Sequence, residues 1–319
     1  MSKKMGGHQL KVGWGKHFAQ YWQLYALMLV PIVYYVVFRY IPMAGIVIAF
    51  KKYKIAKPPT LINNIIQSDW VGFKNFKFLF ATTDSLIMIR NTVLYNFFWI
   101  VLGILLAVTF AIILNEISQK FVAKTYQTLM FFPYFISWVV VSYFVMALLD
   151  PTSGLIVKWE IAKFGKATNW YHEAKPWPVI LTIANVWKNT GYACILYLAA
   201  ITGFDRSQYE AAAIDGASKW QQIKFITLPN LRTMISILFI MNVGKIFNSD
   251  IGLFWNVPQQ AVLSTTQTID TYVLRALTAT GGDMGMTTAA GLFQNAAGFV
   301  VMMIANTVSK KIDPDNALF

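Results

Sequence analysis

Long apolar runs alternate with polar stretches along the chain, and the length of these runs predicts membrane-crossing helices. A helix crosses the hydrocarbon layer in ~20 residues, because each residue rises ~1.5 Å through a layer ~30 Å thick. Six runs are candidates: residues 21–38, 92–114, 125–149, 178–201, 233–254 and 284–309. The fourth contains Lys188, and the fifth contains Lys245 and Asp250. Since lipid satisfies no backbone polar group, the long uncharged runs are expected to be helices.

The polar stretches divide the rest of the chain. Residues 1–20 form a basic N-terminal tail, residues 39–91 a long segment after the first apolar run, residues 203–230 a loop between the fourth and fifth runs, and residues 311–319 a C-terminal tail. The first run is too long for a removable signal peptide and has no small-residue cleavage site, so we expect it to remain as a transmembrane helix. The predicted fold is an all-α membrane protein with six transmembrane helices.

Composition supports the lipid bilayer as the solvent of this chain. The 319 residues are 56% hydrophobic and 13% charged, whereas a soluble domain has roughly 25% charged residues. Basic residues outnumber acidic ones by 27 to 14, and loops facing anionic lipid headgroups explain this excess without a nucleic-acid partner. The excess does not settle the orientation, because the long segment 39–91 is itself strongly basic and the positive-inside rule weighs short loops more than long ones.

No catalytic or metal-binding residues stand out in the sequence. The phosphate loop G-x-x-x-x-G-K-[ST] is absent, so the chain is not expected to hydrolyse ATP itself. The single cysteine, Cys194, lies in an apolar run, and His8, His17 and His172 lie in predicted polar segments without the spacing of a metal site. We therefore expect no enzyme activity, no catalytic residue, no metal and no cofactor in this chain.

The stretch YEAAAIDGASKWQQIKFITLPNL, residues 209–231, is charged and rich in small residues, unlike the apolar runs on either side. Its first helix is predicted to begin at Asp205, whose carboxylate accepts from free amides, with Gln208 completing a pattern similar to a capping box. Glu210 and Asp215 are expected to be exposed. A loop lying on lipid headgroups is one interpretation, but an interfacial helix carries basic and large apolar faces. Alanines and acids favour docking to another protein.

The second half of this loop predicts a turn followed by a short helix. Gly216 is placed to end the first helix in a left-handed conformation, and Ser218 with Gln221 forms another capping pattern. Pro229 is expected in the first turn of a new helix, where its missing N–H costs nothing. The predicted order is helix, tight turn, short helix and then a new membrane span.

The loop resembles the EAA motif of binding-protein-dependent ABC importer permeases. The positions that match in order and spacing are Glu210, Ala211, Ala212, Gly216, Ile226, Leu228 and Pro229. The resemblance extends over nearly the whole chain, to the LplB-like branch related to permeases of sugar and alginate importers, through WVGFKNFKFLF, NTVLYN, FFPYFISWVV, IDTYVLRAL and AAGLFQNAAGFVVMMIANTVSKKI. One local departure is FNSDIGLF, where Asp250 is kept but the neighbouring aromatic residue is displaced to Phe247.

This resemblance implies a type I ABC importer permease fold with the EAA loop in the cytoplasm. An even number of spans then places both chain termini in the cytoplasm. In the family the loop sits in a cleft of the ATP-hydrolysing subunit, as a helix in a groove. Glu210 would be the polar contact, and the alanines would allow close packing. The residues assigned to this docking are Glu210, Ala211, Ala212, Asp215, Gly216, Leu228 and Pro229.

The resemblance also implies partners that supply what this chain lacks. They are two ATP-binding subunits, which carry ATP and Mg²⁺, a second permease subunit and an extracytoplasmic solute-binding protein, all at the bacterial cytoplasmic membrane. The external segment 39–91 is expected to pack on the helices and to meet the binding protein. The solute implied by this branch is an oligosaccharide.

Polar and aromatic side chains inside the predicted spans are candidates for the solute path, because lipid makes polar groups costly unless they have a function. These candidates are Asn96, Trp187, Lys188, Asn189, Tyr192, Asn242, Lys245, Asn248 and Asp250. Aromatic rings stack on sugar rings, and amides pair with hydroxyl groups. The alternatives are structural: aromatic residues form belts at the membrane surface, amides join helices, and Lys245 snorkels or pairs with Asp250.

Two other classes of protein account less well for the sequence. An ion-coupled secondary transporter needs inverted repeats or broken helices and several buried carboxylates, but only Asp250 lies near a predicted span. A membrane-embedded enzyme needs a cluster of catalytic residues at bilayer depth, and the spans contain none. The sequence therefore favours an ABC importer permease, with the secondary transporter as the alternative.

Overall fold

The computed structural model describes residues 14–278, 283–314 and 317–318. Residues 1–13 of the predicted N-terminal tail and residues 315, 316 and 319 of the predicted C-terminal tail lie outside the described residues. The α-helices are α1 (Trp14–Tyr35), α2 (Ile41–Met43), α3 (Leu61–Gln67), α4 (Phe78–Ala81), α5 (Thr83–Glu116), α6 (Lys120–Phe131), α7 (Trp138–Leu149), α8 (Leu155–Phe164), α9 (Trp177–Thr202), α10 (Arg206–Ile214), α11 (Lys219–Gln222), α12 (Leu228–Val243), α13 (Ile251–Asn256), α14 (Leu263–Thr266), α15 (Ile269–Thr278) and α16 (Met284–Ile312).

Shorter elements connect these helices. The 3-10 turns are Ala44–Phe50, Gly72–Phe76, Phe132–Phe135 and Gln260–Val262, and the π-turns are Val36–Tyr40 and Ile223–Thr227. Two short strands, β1 (Lys51–Lys52) and β2 (Asp69–Trp70), pair antiparallel.

Helices occur at all six predicted positions, and the all-α fold is confirmed. Within the described residues, four helices are long and apolar enough to cross a membrane, or five if the bent pair α6 and α7 counts as one span. The four are Phe18–Phe50, Thr83–Glu116, Lys219–Val243 and Met284–Ile312. Helix α9, the predicted fourth span, has 26 residues, but polar side chains such as Lys188 and Asn189 interrupt its apolar sequence.

The helices on both sides of the predicted external segment are longer than expected. The first helix continues through a π-turn and a 3-10 turn to Phe50, instead of ending near residue 38. Helix α5 begins at Thr83 instead of residue 92, because Thr82 and Ser85 form a capping box at its N-terminus. The segment predicted over 39–91 therefore shrinks to residues 51–82.

The third predicted span, 125–149, is not one straight helix, so that part of the prediction is wrong. The chain bends by 97° between the helical segments 120–135 and 138–149. Pro133 lies in the 3-10 turn after α6 and has no N–H to continue the helical hydrogen bonds. The Ser137 hydroxyl then accepts from the Val140 N–H at 3.3 Å and starts α7.

The fifth predicted span, 233–254, is displaced along the chain. The helix begins at Lys219 and ends at Val243, so α11, a π-turn and α12 form one continuous helix. Residues 244–250 then leave the helix before α13 begins. The polar residues predicted for the last part of this span therefore lie outside any helix, in a segment that we call the break (residues 244–250).

Helices α5 and α9 lie along each other at the centre of the molecule. The buried side chains that join them to their neighbours include Tyr95, Ala107, Ala111, Trp177, Leu181, Cys194, Tyr197, Leu231 and Phe254. Glycines allow the closest helix contacts, since small residues let backbones approach. Gly191 of α9 lies against the carbonyl of Met130 in α6, and Gly298 of α16 lies against the carbonyl of Gly244.

The two ends of the long helices define two faces of the molecule. At one face the loop 203–230 meets the C-terminal end of α5, where Lys219 is 3.2 Å from Glu116, and the start of α12 meets the C-terminal end of α16, where Arg232 is 3.6 Å from Asp313. We call this the loop face. The opposite end, where the N-terminus of α16 lies against β1, is called the far face.

Candidate functional site

The loop between α9 and α12 begins with a capped helix. The Asp205 carboxylate accepts from the Ser207 N–H at 2.9 Å and from the Ser207 hydroxyl at 2.7 Å. These hydrogen bonds favour the charged carboxylate and lower the pKa of Asp205. The predicted start of α10 is confirmed. The predicted role of Gln208 is wrong, because its side-chain oxygen accepts from Asn230 Nδ2 at 3.2 Å instead of capping the helix.

The turn between α10 and α11 has the predicted form. Gly216 adopts a φ of +80°, and the Ala217 N–H donates to the Ala212 carbonyl at 2.9 Å. This left-handed glycine ends α10 at little conformational cost, since it has no Cβ. The Ser218 N–H then donates to Gln221 Oε1 at 2.7 Å in a capping box that starts α11.

Pro229 lies in the first turn of α12, as predicted, but α12 continues from α11 through a π-turn and is not a separate helix. In the π-turn before it, the Leu228 N–H donates to the Ile223 carbonyl, five residues back. The wider turn leaves space for the proline ring beside the preceding backbone carbonyls. The hydrogen bond that a proline N–H cannot donate is therefore not required at this position. Thr227 is buried, and its hydroxyl lies 3.0 Å from the Tyr209 hydroxyl, which joins α10 to the continuous helix.

The exposed surface of the loop combines acids with apolar side chains. Glu210 and Asp215 are exposed, as predicted. Ile214, one helical turn after Glu210, has 86% of its surface exposed, and Trp220 has 70%. Neither residue was predicted to take part in docking, although both lie inside the stretch 209–231. We call Glu210, Ile214 and Asp215 the docking patch.

A cavity of about 640 Å³ lies between α5, α9, α12 and the break. Six of the nine side chains predicted for the solute path line it: Asn96, Asn189, Tyr192, Asn242, Lys245 and Asn248. Trp99 and Tyr197, which the prediction missed, line it too. The wall of the cavity carries side-chain amides and one amine beside aromatic rings. The amides and the amine are suited to hydrogen bonding with hydroxyl groups.

Asn96 connects the cavity wall to the backbone of the break. Its Nδ2 donates to the carbonyls of Ile246 at 3.0 Å and Asn248 at 2.8 Å. Non-helical backbone at membrane depth is tolerated only where protein groups or a water-filled cavity satisfy it. Asn96 therefore stabilises the break, whatever further contact it makes with a solute.

Two polar residues from later in the chain complete this support, and the sequence analysis missed both. The Asp270 carboxylate accepts from the Ser249 N–H at 2.6 Å. Gln294 Nε2 donates to the Phe247 carbonyl at 2.7 Å and to the Asp270 carboxylate at 3.0 Å. Because Gln294 is a polar residue within an apolar run, the sequence could have marked it as a candidate. Its partners, the Phe247 carbonyl and Asp270, are identified only in the folded chain.

Lys188 does not line the cavity. Its Nζ donates to the carbonyls of Tyr134 at 2.5 Å and Pro133 at 3.4 Å, and it lies 5.4 Å from the ring centroids of Tyr134 and Trp138. At the bend the Pro133 carbonyl also accepts from the Ile136 N–H at 3.1 Å. The buried ammonium group of Lys188 adds a second donor there and satisfies the Tyr134 carbonyl, so Lys188 holds the bend in place.

Asp250 and Trp187 also lie away from the cavity. Asp250 accepts from Trp138 Nε1 at 2.6 Å and from the Leu253 N–H at 3.3 Å, so it caps α13 and joins it to α7. Among the described residues it forms no ion pair with Lys245. Trp187 lines a separate apolar groove of about 340 Å³.

Replacing Asn96 with alanine is expected to destabilise the break. The variant leaves the Ile246 and Asn248 carbonyls without this donor, at a cost of ~1–3 kcal/mol. The melting temperature of the purified protein should fall accordingly. The matched control is Asn295→Ala, which removes an amide that donates to the Gly291 carbonyl of its own helix at 2.8 Å. Equal melting temperatures for the two variants would contradict the proposed support of the break.

Within the part of the chain that the structure describes, no three His, Cys, Asp or Glu side chains are grouped to hold a metal.

Comparison with known proteins identifies relatives over most of the chain. Residues 99–314 match the family described as binding-protein-dependent transport system inner membrane component. The chain is 31% identical to protein LplB of Bacillus subtilis, over 92% of this chain and 90% of that protein. It is 33% identical to the polygalacturonan/rhamnogalacturonan transport system permease protein YteP of Bacillus subtilis, over 90% and 88%.

A solved structure has the same fold over nearly its full length. It is a chain of the bacterial alginate ABC transporter in complex with alginate pentasaccharide-bound periplasmic protein, 30% identical, with a TM-score of 0.81 over 93% of this chain and 97% of that chain. Sequence and fold thus agree on the same class of transport component. The chain belongs to the binding-protein-dependent transport system inner membrane components, and it is a multi-pass permease subunit of an ABC importer, not an enzyme.

Proposed function

We propose that this chain, with a second permease subunit, forms the path by which an oligosaccharide crosses the membrane, and that its loop 203–230 docks onto ATP-binding subunits. The observation that carries the proposal is the continuous helix Lys219–Val243. It connects the docking loop at one end with the break and the cavity at the other. A movement of the loop therefore reaches the cavity wall through one element of secondary structure.

Both the relatives and the cavity support an oligosaccharide as the solute. One relative is named for polygalacturonan and rhamnogalacturonan, and the similar solved transporter for alginate. The ring of Tyr192 lines the cavity and is held by stacking on Tyr134 outside the lining, with centroids 4.6 Å apart and planes 12° apart. Such flat aromatic surfaces pack on sugar rings, while Asn189 and Asn242 on the wall are suited to hydroxyl groups.

We assign the loop face to the cytoplasm. The C-terminus of α16 lies on this face beside the start of α12, through the contact between Asp313 and Arg232. With the docking loop inside, the C-terminal end is cytoplasmic, and an even number of crossings places the N-terminal end there too. The far face is then extracytoplasmic, where the solute-binding protein delivers its ligand.

The docking proposal assigns a role to each part of the loop. Glu210 supplies the polar contact to an ATP-binding subunit, the small side chains of Ala211 and Ala212 permit close approach, and Asp215 extends the acidic edge. Gly216 makes the turn between the two short helices. Leu228 and Pro229 belong to the continuous helix and transmit movement. ATP and Mg²⁺ are bound by the partner subunits.

Coupling then follows from a two-state equilibrium. ATP binding favours one arrangement of the ATP-binding subunits, and the docked loop favours the matching arrangement of the membrane helices. A ligand shifts such an equilibrium only by its difference in affinity for the two states. The binding protein and ATP therefore act on the same helices from opposite faces of the membrane.

A transport assay tests this function. The complete complex is reconstituted in liposomes, and the binding protein is added outside with a panel of labelled oligosaccharides, including oligogalacturonate and oligoalginate. We expect uptake that requires ATP on the loop-face side and the binding protein on the other. Uptake driven by an ion gradient in liposomes that lack the ATP-binding subunits would contradict the proposal and favour a secondary transporter.

The substitution Asn242→Trp tests the role of the cavity. The larger side chain fills space that the solute is proposed to cross, so uptake should fall by ~10-fold or more while the complex still assembles. The control is Phe239→Trp, on the same helix but outside the cavity lining, which should leave uptake within ~2-fold of the original protein. Normal uptake by the Asn242→Trp complex would place the solute path elsewhere.

A further inference from the structure

A second polar depression lies on the far face, apart from the central cavity. It measures about 600 Å³ and lies between the N-terminal end of α5 and the segment 260–276. Its polar lining includes Asp84, Gln260, Gln267 and Arg275. Neither the docking patch nor the cavity uses these residues, so the depression has no role in the function proposed above.

Arg275 carries a charge for which the residues that the structure describes supply no counter-ion. Its Nη1 is buried and has no hydrogen-bond partner within residues 14–278, 283–314 and 317–318, and the guanidinium lies 5.5 Å from the ring centroid of Trp255. Asp84 lies on the wall of the same depression, but the two residues form no ion pair in the described structure. Burial lowers the pKa of Arg275, which reflects poor solvation of its cation.

An unpartnered, partly desolvated guanidinium favours a carboxylate as its ligand. Arginine presents a planar fork of N–H groups that matches the two oxygens of a carboxylate. A carboxylate that enters the depression would accept hydrogen bonds from the part of the Arg275 guanidinium that lines it and would supply the counter-charge. Gln260 and Gln267 on the same wall supply amides for the neighbouring polar atoms of such a ligand.

The position of the depression distinguishes a protein ligand from the transported solute. On α5, the depression is lined by Asp84 and Ile87, whereas the cavity lining begins at Asn96. Nine residues separate Ile87 from Asn96, which corresponds to ~13 Å along a helix and to opposite sides of it. The depression therefore opens away from the cavity, toward whatever contacts the far face.

We propose that Arg275 binds an acidic side chain, Asp or Glu, of the solute-binding protein when that protein docks on the far face. This inference rests on the proposed function, since it requires a binding protein on that side. It adds a specific contact by which the permease recognises its own binding protein. Opposite charges at such a contact raise the association rate and discriminate against other binding proteins.

The test measures the affinity of the solute-loaded binding protein for the reconstituted complex. Arg275→Glu should weaken binding by ~10-fold or more, and Arg275→Gln by less, because reversal adds repulsion to the lost hydrogen bonds. Asp84→Asn, which removes the acid of the wall, should leave binding unchanged or strengthen it. A scan of acidic surface residues of the binding protein to lysine should then find one that restores affinity to the Arg275→Glu complex.

Three results would overturn the inference. The first is unchanged affinity in the Arg275→Glu and Arg275→Gln complexes. The second is a loss of uptake with unchanged affinity for the binding protein, which would assign the site to an acidic sugar. The third is a fall in melting temperature with unchanged affinity, which would make Arg275 a structural residue. Basal ATP hydrolysis and ATP-driven uptake by the original complex report separately on the proposed function itself.

Discussion

Replacing Gly298 with alanine is expected to abolish uptake and to lower the melting temperature of the complex more than any other single methyl group added to α16. A Cβ at this position collides with the backbone carbonyl of Gly244, where α12 ends and the break begins. Backbone cannot rotate away as a side chain does, so the two helices must separate. Overpacking of this kind costs ~1–3 kcal/mol or more, and here it displaces the segment that carries part of the cavity wall.

The matched control for this substitution is Gly291→Ala, two turns earlier in the same helix. A Cβ there meets no atom within 4 Å, and alanine is a better helix former than glycine by ~1 kcal/mol. The control should therefore be neutral or slightly stabilising by thermal unfolding. If Gly298→Ala retained both the original melting temperature and the original uptake, the contact between α12 and α16 would not be as close as the structure shows.

Replacing Glu210 with lysine is expected to prevent assembly with the ATP-binding subunits or to uncouple ATP hydrolysis from uptake. Glu210 is exposed on α10 and forms no ion pair with any described residue, so the permease alone should keep its melting temperature. Reversing a charge at a docking surface replaces an attraction by a repulsion, which costs ~2–5 kcal/mol in close charge pairs. Uptake should fall by ~30-fold or more, measured beside co-purification of the ATP-binding subunits.

The control for Glu210→Lys is Glu173→Lys. Glu173 is an exposed acid near the start of α9, at the opposite end of that helix from the docking loop. The same change of charge at this position should leave assembly and coupling intact. Normal uptake by the Glu210→Lys complex would show that the docking patch is not where the ATP-binding subunits act.

The sequence predicted the conformation of the loop 203–230 in most of its detail because local rules determine it. The Asp205 cap, the left-handed Gly216 and the capping box of Ser218 and Gln221 each depend on residues within a few positions of one another. Such interactions are properties of the segment itself, and folding of the rest of the chain does not alter them. Pro229 lies in the first turn of α12 as predicted, but the sequence did not show that a π-turn joins this helix to α11 without an interruption.

The interruptions of the membrane helices could not be predicted in the same way. Long apolar runs favour a continuous helix, and this expectation failed at Pro133 and again after Val243. The break after Val243 is stable because Asn96, Asp270 and Gln294 satisfy its backbone. These partners are far apart in sequence, so their combined effect appears only when the helices have packed.

The lining of the candidate cavity could likewise be predicted only in part from the sequence. Polarity within apolar sequence selected six residues that line it. The same criterion also selected Lys188 and Asp250, which instead satisfy carbonyls at a bend and cap a helix. A polar side chain in a span marks a backbone irregularity as readily as a solute contact, and only the positions of its neighbours distinguish the two.

The π-turn at Ile223–Thr227 sets the direction in which the loop 203–230 projects around the axis of the continuous helix. Successive residues of an α-helix are offset by ~100°, so one residue more or less in this turn would swing the loop by about that angle around the helix axis. Under the proposed docking, a single widened turn sets where the ATP-binding subunits lie relative to the side of α12 that borders the cavity. An insertion or deletion of one residue in this turn is therefore expected to turn the loop away from the proposed partner.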